Sequence, residues 1–264
     1  MRYALCLEYQ GNGYFGWQTQ EQQPTVQECL ESALSSVADH PIRVRAAGRT
    51  DTGVHALGQV VHFDTDAIRN ERSWILGCNS HLPVTVSVLW VRPVSDDFDA
   101  RFSAESRTYR YRILNRWIRP AVESTTVCWV RGLLDAASMH AAAQGLLGEH
   151  DFEAFRAAGC QANHGIRIVK NVSVLREGNY VELNITANAF LYHMVRNIVG
   201  SLLCVGKGLE SPDWIVALLK QRDRNSAGAT APAGGLYFVG PTYPQRYDLP
   251  QFPFAPFPAG DELS

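Results

Sequence analysis

The run Gly48-Arg49-Thr50-Asp51-Thr52-Gly53-Val54-His55-Ala56 sets a guanidinium, two hydroxyls, a carboxylate and an imidazole in and around a pair of glycines. A turn between strands needs glycine where φ is positive, but it gains nothing from Arg and Asp flanking a Thr. The carboxylate of Asp51 has the chemistry of a nucleophile. It also has the chemistry of an Asx-turn that caps its own backbone, with Arg49 solvated, which is the ordinary role of a single Asp in a glycine-rich turn. Polar residues on a loop held by a sheet are where binding and catalysis concentrate. Taken alone, the run leaves both roles open.

A second constellation lies in an apolar stretch that predicts a buried helix over Phe190–Val205, with Asn188 able to cap it. His193, Arg196, Asn197 and Gly200 stand at i, i+3, i+4 and i+7 and so share one face. An arginine on such a helix needs an anion, or it costs several kcal/mol, on the order of an unpaired buried charge. A structural salt bridge and a pairing with Asp51 both satisfy that need. A third constellation is the alternating run Glu105–Leu114, with Arg107, Tyr109, Tyr111 and Ile113 on one face and Thr108, Arg110 and Arg112 on the other. Lys occupies only positions 170, 207 and 220, so nearly all of the 24 basic residues are Arg. Arginine contacts phosphate in bidentate fashion and stacks on bases, which suits RNA, although codon bias in a GC-rich genome gives the same composition.

These residues must be positioned by strands and helices. Alternation predicts a strand over Arg2–Tyr9, followed by Gly11-Asn12-Gly13-Tyr14-Phe15-Gly16. That stretch has the letters of a dinucleotide fingerprint, but it opens no helix and leads instead to a polar loop and Pro24. Thr25-Val26-Gln27-Glu28 has capping-box spacing and starts a helix with an apolar stripe. Strands near 42–47 and 58–64 flank the Asp51 run, and a helix near 67–78 and a strand over Val84–Val91 complete a first α+β unit. The pattern then restarts: the 105–114 strand, a helix over Leu134–Leu147, a turn at 148–152, and a loop around 157–166. A hairpin of Arg167–Arg176 with Tyr180–Ala187, the buried helix, a short helix Asp213–Lys220 and a strand at 234–239 follow. The expected domains are 1–100, carrying the Asp51 loop, 101–248, and a Pro-rich tail over 249–264 that is expected to be extended and mobile.

Composition bounds the function class. At 264 residues, 46% hydrophobic and 19% charged, this is an ordinary globular chain with a net charge of −2. No apolar run nears the ~18 residues of a membrane span and no signal peptide opens the chain, so the expected compartment is the cytoplasm. The six cysteines show no Cys-x-x-Cys pair and the histidines no helix-spaced ligand set, so no disulfide framework and no metal is expected.

Seven ordered motifs carry a resemblance: Tyr9-x-Gly11 with Gly16-Trp17-Gln18; Gly48-Arg49-Thr50-Asp51-x-Gly53-Val54-His55-Ala56; Phe98-x-Ala100-Arg101-Phe102-Ser103-Ala104; and Tyr109-x-Tyr111. Gly148-x-His150-Asp151-Phe152-x-x-Phe155, Asn188-Ala189-Phe190-x-x-His193-Met194-Val195-Arg196-Asn197 and Gly235-Leu236-Tyr237 complete the set. Together they resemble the tRNA pseudouridine synthase A family over about residues 3 to 248. The resemblance implies a cofactor-free isomerase that turns uridines 38, 39 and 40 of the tRNA anticodon arm into pseudouridine. It implies an α+β fold of two similar halves forming an extended, mostly antiparallel sheet with helices packed on it and a central cleft, in a homodimer that grips tRNA. By matching positions, Asp51 is the catalytic nucleophile, Tyr109 stacks on the target base and can move a proton, and Arg196 pairs with Asp51. Arg49, Leu236, Arg101 and His55 are implied in substrate binding. One departure is visible: Asp99 stands where many members carry His.

Two rivals are weighed against this. Asp51-Thr52-Gly53 is also the triplet of aspartic proteases, but their mechanism needs two carboxylates sharing a proton and the chain has no second Asp-Thr-Gly. A non-catalytic RNA-binding protein accounts for Trp17, Tyr109, Tyr111 and the arginines, but not for an acid set beside phosphate contacts.

Overall fold

The computed structural model describes residues 1–250; the tail expectation lies, beyond Pro250, outside the described residues. Contacts divide the chain into two compact units, Met1–Glu105 with the segment from Phe238 on, and Ser106–Tyr237. In the first unit β1 (Arg2–Tyr9) is a central strand. It pairs antiparallel with β3 (His55–Asp64) on one side and β4 (Val86–Val94) on the other, while the two-residue β2 (Arg45–Ala46) adds to β3. β10 (Leu236–Thr242), which enters this unit at Phe238, follows β3 in the strand order.

A central strand with both faces covered is buried continuously rather than alternately, and β1 is so over Tyr3–Leu7. Tyr3 stacks on Phe63 with ring centroids 5.6 Å apart, and Phe63 meets Trp74 edge-on at 5.3 Å. On the opposite face Ala4 and Cys6 join a cluster with Val60, Phe98, Tyr243 and Tyr247. Two helices cover the Tyr3 side. α1 (Val26–Ala38) starts where the Thr25 hydroxyl accepts the Glu28 N–H at 3.4 Å, as the capping spacing predicts, and α2 (Glu71–His81) starts at Asn70, whose side chain accepts the Ser73 N–H. The helices pack on each other where Gly77 faces Val37: a Cβ there would lie 2.8 Å from the valine methyl.

The second unit holds β5 (Ser106–Asn115), β6 (Cys128–Val130), α3 (Ala136–Gln144), β7 (Gly148–Asp151), β8 (Ile166–Glu177), β9 (Tyr180–Ala187), α4 (Met194–Gly206) and α5 (Trp214–Gln221). Its strands run in the order β5-β9-β8-β7, all antiparallel, with β6 parallel on β5. Strands and helices alternate without segregating into parallel crossovers, so the fold class is α+β as expected. β7 reaches only Ile166–Val169 of β8, and α3 covers the remaining edge. His140 Nδ1 accepts the Val174 N–H at 3.1 Å and Gln144 Nε2 donates to the Val172 carbonyl at 3.3 Å. One turn of helix thus satisfies two edge groups that would otherwise pair with another chain.

Three local expectations are corrected and one strand is added. Residues 148–152 are mostly a strand, because Gly148–Asp151 pair with β8 although their polar sequence has no strand propensity. β6 is an addition too short to show a period. The strand before the Asp51 run shrinks to β2, whereas β3 begins inside the run at His55. Asn188 does not cap α4: its Oδ1 accepts the N–H groups of Ile168 and Ala189, and the helix starts after His193, at φ 57°. Among the described residues no helix is long and apolar enough to cross a membrane.

Candidate active site

The Asp51 loop joins β2 to β3 and is held from behind by buried polar contacts. The Gly48 carbonyl accepts Gln59 Nε2 at 2.6 Å, the Thr50 carbonyl accepts the Trp17 N–H at 3.0 Å, and Thr50 Oγ1 lies 2.7 Å from the Tyr9 hydroxyl. The Val54 N–H closes a turn onto the Asp51 carbonyl at 3.1 Å, with Gly53 at φ 78°. Thr50, Tyr9 and Gln59 are buried, Asp51 is half-buried, and Arg49 and Thr52 are exposed. Burial drives the Tyr9 hydroxyl far above the usual phenol range, although hydrogen bonds with Thr50 and Gln59 oppose this, so it remains a neutral phenol.

The glycine-rich stretch after β1 has its explanation here. A Cβ on Gly11 would lie 2.0 Å from the Val54 carbonyl oxygen, and one on Gly16, at φ 86°, would lie 2.8 Å from the Thr50 carbonyl oxygen. The Gly11 N–H donates to Nδ1 of His55, which is buried. Two of the three glycines that spell a nucleotide fingerprint, Gly11 and Gly16, therefore serve as the back wall of the Asp51 loop, where only backbone fits. Arg101 and Phe102 stand exposed on the turn after Phe98, with the guanidinium 5.5 Å from the ring centroid. Asp99 builds that turn: its Oδ1 accepts the N–H groups of Arg101 and Phe102, and its Oδ2 accepts Arg45 Nη1 at 2.9 Å. Burial alone would raise the Asp99 pKa, but these hydrogen bonds outweigh it and hold the carboxyl below its usual range. The residue that departs from the family pattern thus has a structural task.

In the second unit, Tyr109 sits on β5 opposite Ile185 of β9, and its ring meets Phe190 edge-on at 5.0 Å and 84°. Arg196 lies in the first turn of α4, where its Nε donates to the Ala231 carbonyl at 2.8 Å and its own carbonyl accepts the Ala231 N–H at 3.1 Å. Of the polar stripe seen in the sequence, His193 precedes the helix at φ 57°, and the rest faces the 224–231 segment. Asn197 is buried, donates to the Phe155 carbonyl, and accepts from Arg224 Nη2 at 3.0 Å and Thr230 Oγ1 at 2.7 Å. Gly200 lies against Ala229, where a Cβ would come within 1.7 Å of the carbonyl oxygen. The stripe thus docks the 224–231 segment and fixes the direction of the Arg196 guanidinium. Leu236 is buried at the start of β10, after Gly235, whose missing Cβ leaves room for the Tyr111 ring.

Arg49, Asp51, His55 and Arg101 therefore belong to the first unit, and Tyr109, Arg196 and Leu236 to the second. Sequence reasoning quoted Tyr9 in a motif without giving it a role, and it missed Gln59, Arg224 and Thr230. The signal for Tyr9 was its place at the strand end in Tyr9-x-Gly11; Gln59, Arg224 and Thr230 carry none that a single sequence reveals.

A family model described as tRNA pseudouridine synthase matches residues 5–103 and 142–244. Those ranges contain every residue named above for the site except Tyr109 and Tyr111. Among the similar proteins named tRNA pseudouridine synthase A, one from Idiomarina loihiensis is 53% identical over 99% of this chain and 100% of its own length. Another, from Aeromonas hydrophila subsp. hydrophila, is 55% identical over 97% of this chain and 95% of its own. A third, from Xanthomonas euvesicatoria pv. vesicatoria, is 56% identical over 95% and 98%.

Proposed function

The chain belongs to the tRNA pseudouridine synthase family, and from that premise we propose that it isomerises uridine in the anticodon arm of tRNA with Asp51 as the nucleophile. It is an isomerase of tRNA uridine, and the Asp-Thr-Gly triplet is not that of a protease. The reaction breaks the bond between uracil N1 and the ribose, turns the base, joins C5 to the sugar and moves the C5 proton, with no net change in composition. A carboxylate serves by holding one fragment covalently while the other turns.

The observation that carries the assignment of Asp51 is the loop itself. A half-buried carboxylate is presented on a turn whose backbone is fixed by Tyr9, Trp17 and Gln59, the preorganisation that a nucleophile requires. Arg196 is proposed as the cation paired with Asp51, a partner that favours the ionised carboxylate. Tyr109 is proposed to stack on the uracil after it leaves its own stack, and its hydroxyl to move the C5 proton. Arg49, Arg101 and Leu236 complete the substrate site, with His55 serving it through Gly11. Uridines 38, 39 and 40 as targets, the homodimer and the cytoplasmic location belong to the same reading; sedimentation of the purified protein and cell fractionation test the last two.

The decisive experiment assays Asp51→Asn and Asp51→Ala for pseudouridine in an unmodified tRNA transcript, with tRNA affinity measured in parallel. Turnover is expected to vanish in both while affinity stays near wild type. Pseudouridine formed by either variant would remove Asp51 from the mechanism.

A further inference from the structure

The segment between β5 and α3 carries large side chains that neither the core nor the proposed chemistry uses. Trp117 is 66% exposed, Trp129 is 39% exposed, and Ile118 stands open beside them. The guanidinium carbon of Arg131 lies 3.6 Å from the centroid of the Trp117 ring. The turn that displays Trp117 is tied in place: Arg116 Nε donates to the Ile118 carbonyl at 2.8 Å, and Trp129 Nε1 donates to the Arg116 carbonyl at 2.9 Å. Arg116, Arg119 and Arg131 are all exposed. The one acid between positions 116 and 133, Glu123, is already engaged by the Tyr180 hydroxyl and by Arg112. A chain with a net charge of −2 thus gathers three exposed arginines around two displayed indoles.

We propose that Trp117, Trp129, Arg116, Arg119 and Arg131 form a second tRNA contact, remote in sequence from Asp51, on which an unpaired nucleobase stacks while the arginines hold phosphates. The proposal rests on tRNA being the substrate. An aromatic face with interleaved arginines is the physical signature of single-stranded nucleic-acid binding, because every base offers a π-face and every nucleotide a negative charge. Anchored backbone around Trp117 keeps the ordering cost of that contact low. A second copy of this chain is the weaker occupant, since a two-fold interface would set this patch of arginines against itself.

The test is filter binding of an unmodified tRNA transcript to the full-length protein and to Trp117→Ala, Trp117→Phe and Arg131→Ala over a range of salt. Single-turnover pseudouridine formation at saturating enzyme is measured alongside. Trp117→Ala is expected to weaken binding about 5- to 100-fold with the saturating rate unchanged, and Trp117→Phe to restore most of the loss. Arg131→Ala is expected to flatten the salt slope by about one. Affinity of Trp117→Ala within about two-fold of wild type overturns the proposal. So does a fall in oligomeric mass on sedimentation of that variant, which would assign the surface to a second copy. Wild-type protein that binds the transcript but forms no pseudouridine would overturn the isomerase reading alone, leaving the affinity comparison intact.

Discussion

At the scale of single residues, the site is a problem of holding one carboxylate still. The Tyr9 hydroxyl and Thr50 Oγ1 share a buried 2.7 Å hydrogen bond one residue before Asp51. Tyr9→Phe deletes that bond with little change in volume, so it is expected to cost about 1 kcal/mol in stability. A small displacement of a reacting group costs far more in rate than in stability, so kcat is expected to fall ~10- to 100-fold with KM nearly unchanged. Steady-state kinetics beside urea unfolding separates the two, and a rate loss no larger than the stability loss accounts for would reduce Tyr9 to a packing residue. His62 gives a second, pH-dependent prediction. Burial holds its pKa below the usual 6.5, helped by Arg2 and Arg45 against Asp99, and its Nδ1 accepts the Ala100 N–H at 3.0 Å. Because the folded value is depressed, the unfolded chain takes up the proton first; the stabilisation is complete above about 6.5 and is lost as pH falls through the folded value. Asp64 and Asp99 act in the same sense at lower pH, both held below 3.8: Arg2 lowers Asp64, and for Asp99 amide and Arg45 hydrogen bonds overcome the opposing effect of burial. Unfolding free energy should therefore decline from pH 7 toward 5, and His62→Gln should flatten that limb while leaving the decline below about pH 4.

At the scale of elements, α4 shows how much of a polar stripe serves the fold itself. On the polar face of this apolar helix, Asn197 and Gly200 meet the chain's own 224–231 segment. Gly200→Ala tests this directly. The added methyl would fall 1.7 Å from the Ala229 carbonyl oxygen, so the helix must shift. The helix-propensity gain of about 1 kcal/mol is outweighed, and a net loss of about 1–3 kcal/mol is expected in urea unfolding. An unchanged or raised midpoint would show that the helix does not depend on this close approach. Strand ends were the other weak point of sequence reading. β7 owes its conformation to pairing with Ile166–Val169, and β6 to pairing with Ile113–Asn115, and neither partner is visible in the three or four residues themselves.

At the scale of the whole molecule, the bias toward arginine over a net charge of −2 has a measurable consequence. Binding of a polyanion through local basic patches releases counterions, so the tRNA association constant should fall with salt at a log–log slope of about −4 or steeper, the value for five or six phosphate contacts. A slope near −1 would mean that shape and stacking dominate instead. By itself the sequence determined the α+β class, most of the helices and strands, the family, and the loop on which Asp51 stands. Those features follow from local propensity, from periodicities of two and 3.6 residues, and from motifs a few residues long. It did not determine why the motif needs Gly11 and Gly16, what Gln59 holds, or where the Asn197 side chain goes. Tyr9 and Thr50 are 41 positions apart, and Asn197 and Thr230 are 33. Nothing in a local pattern specifies which distant backbone or hydroxyl will arrive within hydrogen-bond reach. That choice is made when β1 pairs with β3 and when α4 docks the 224–231 segment, because only the folded chain decides which buried polar group satisfies which.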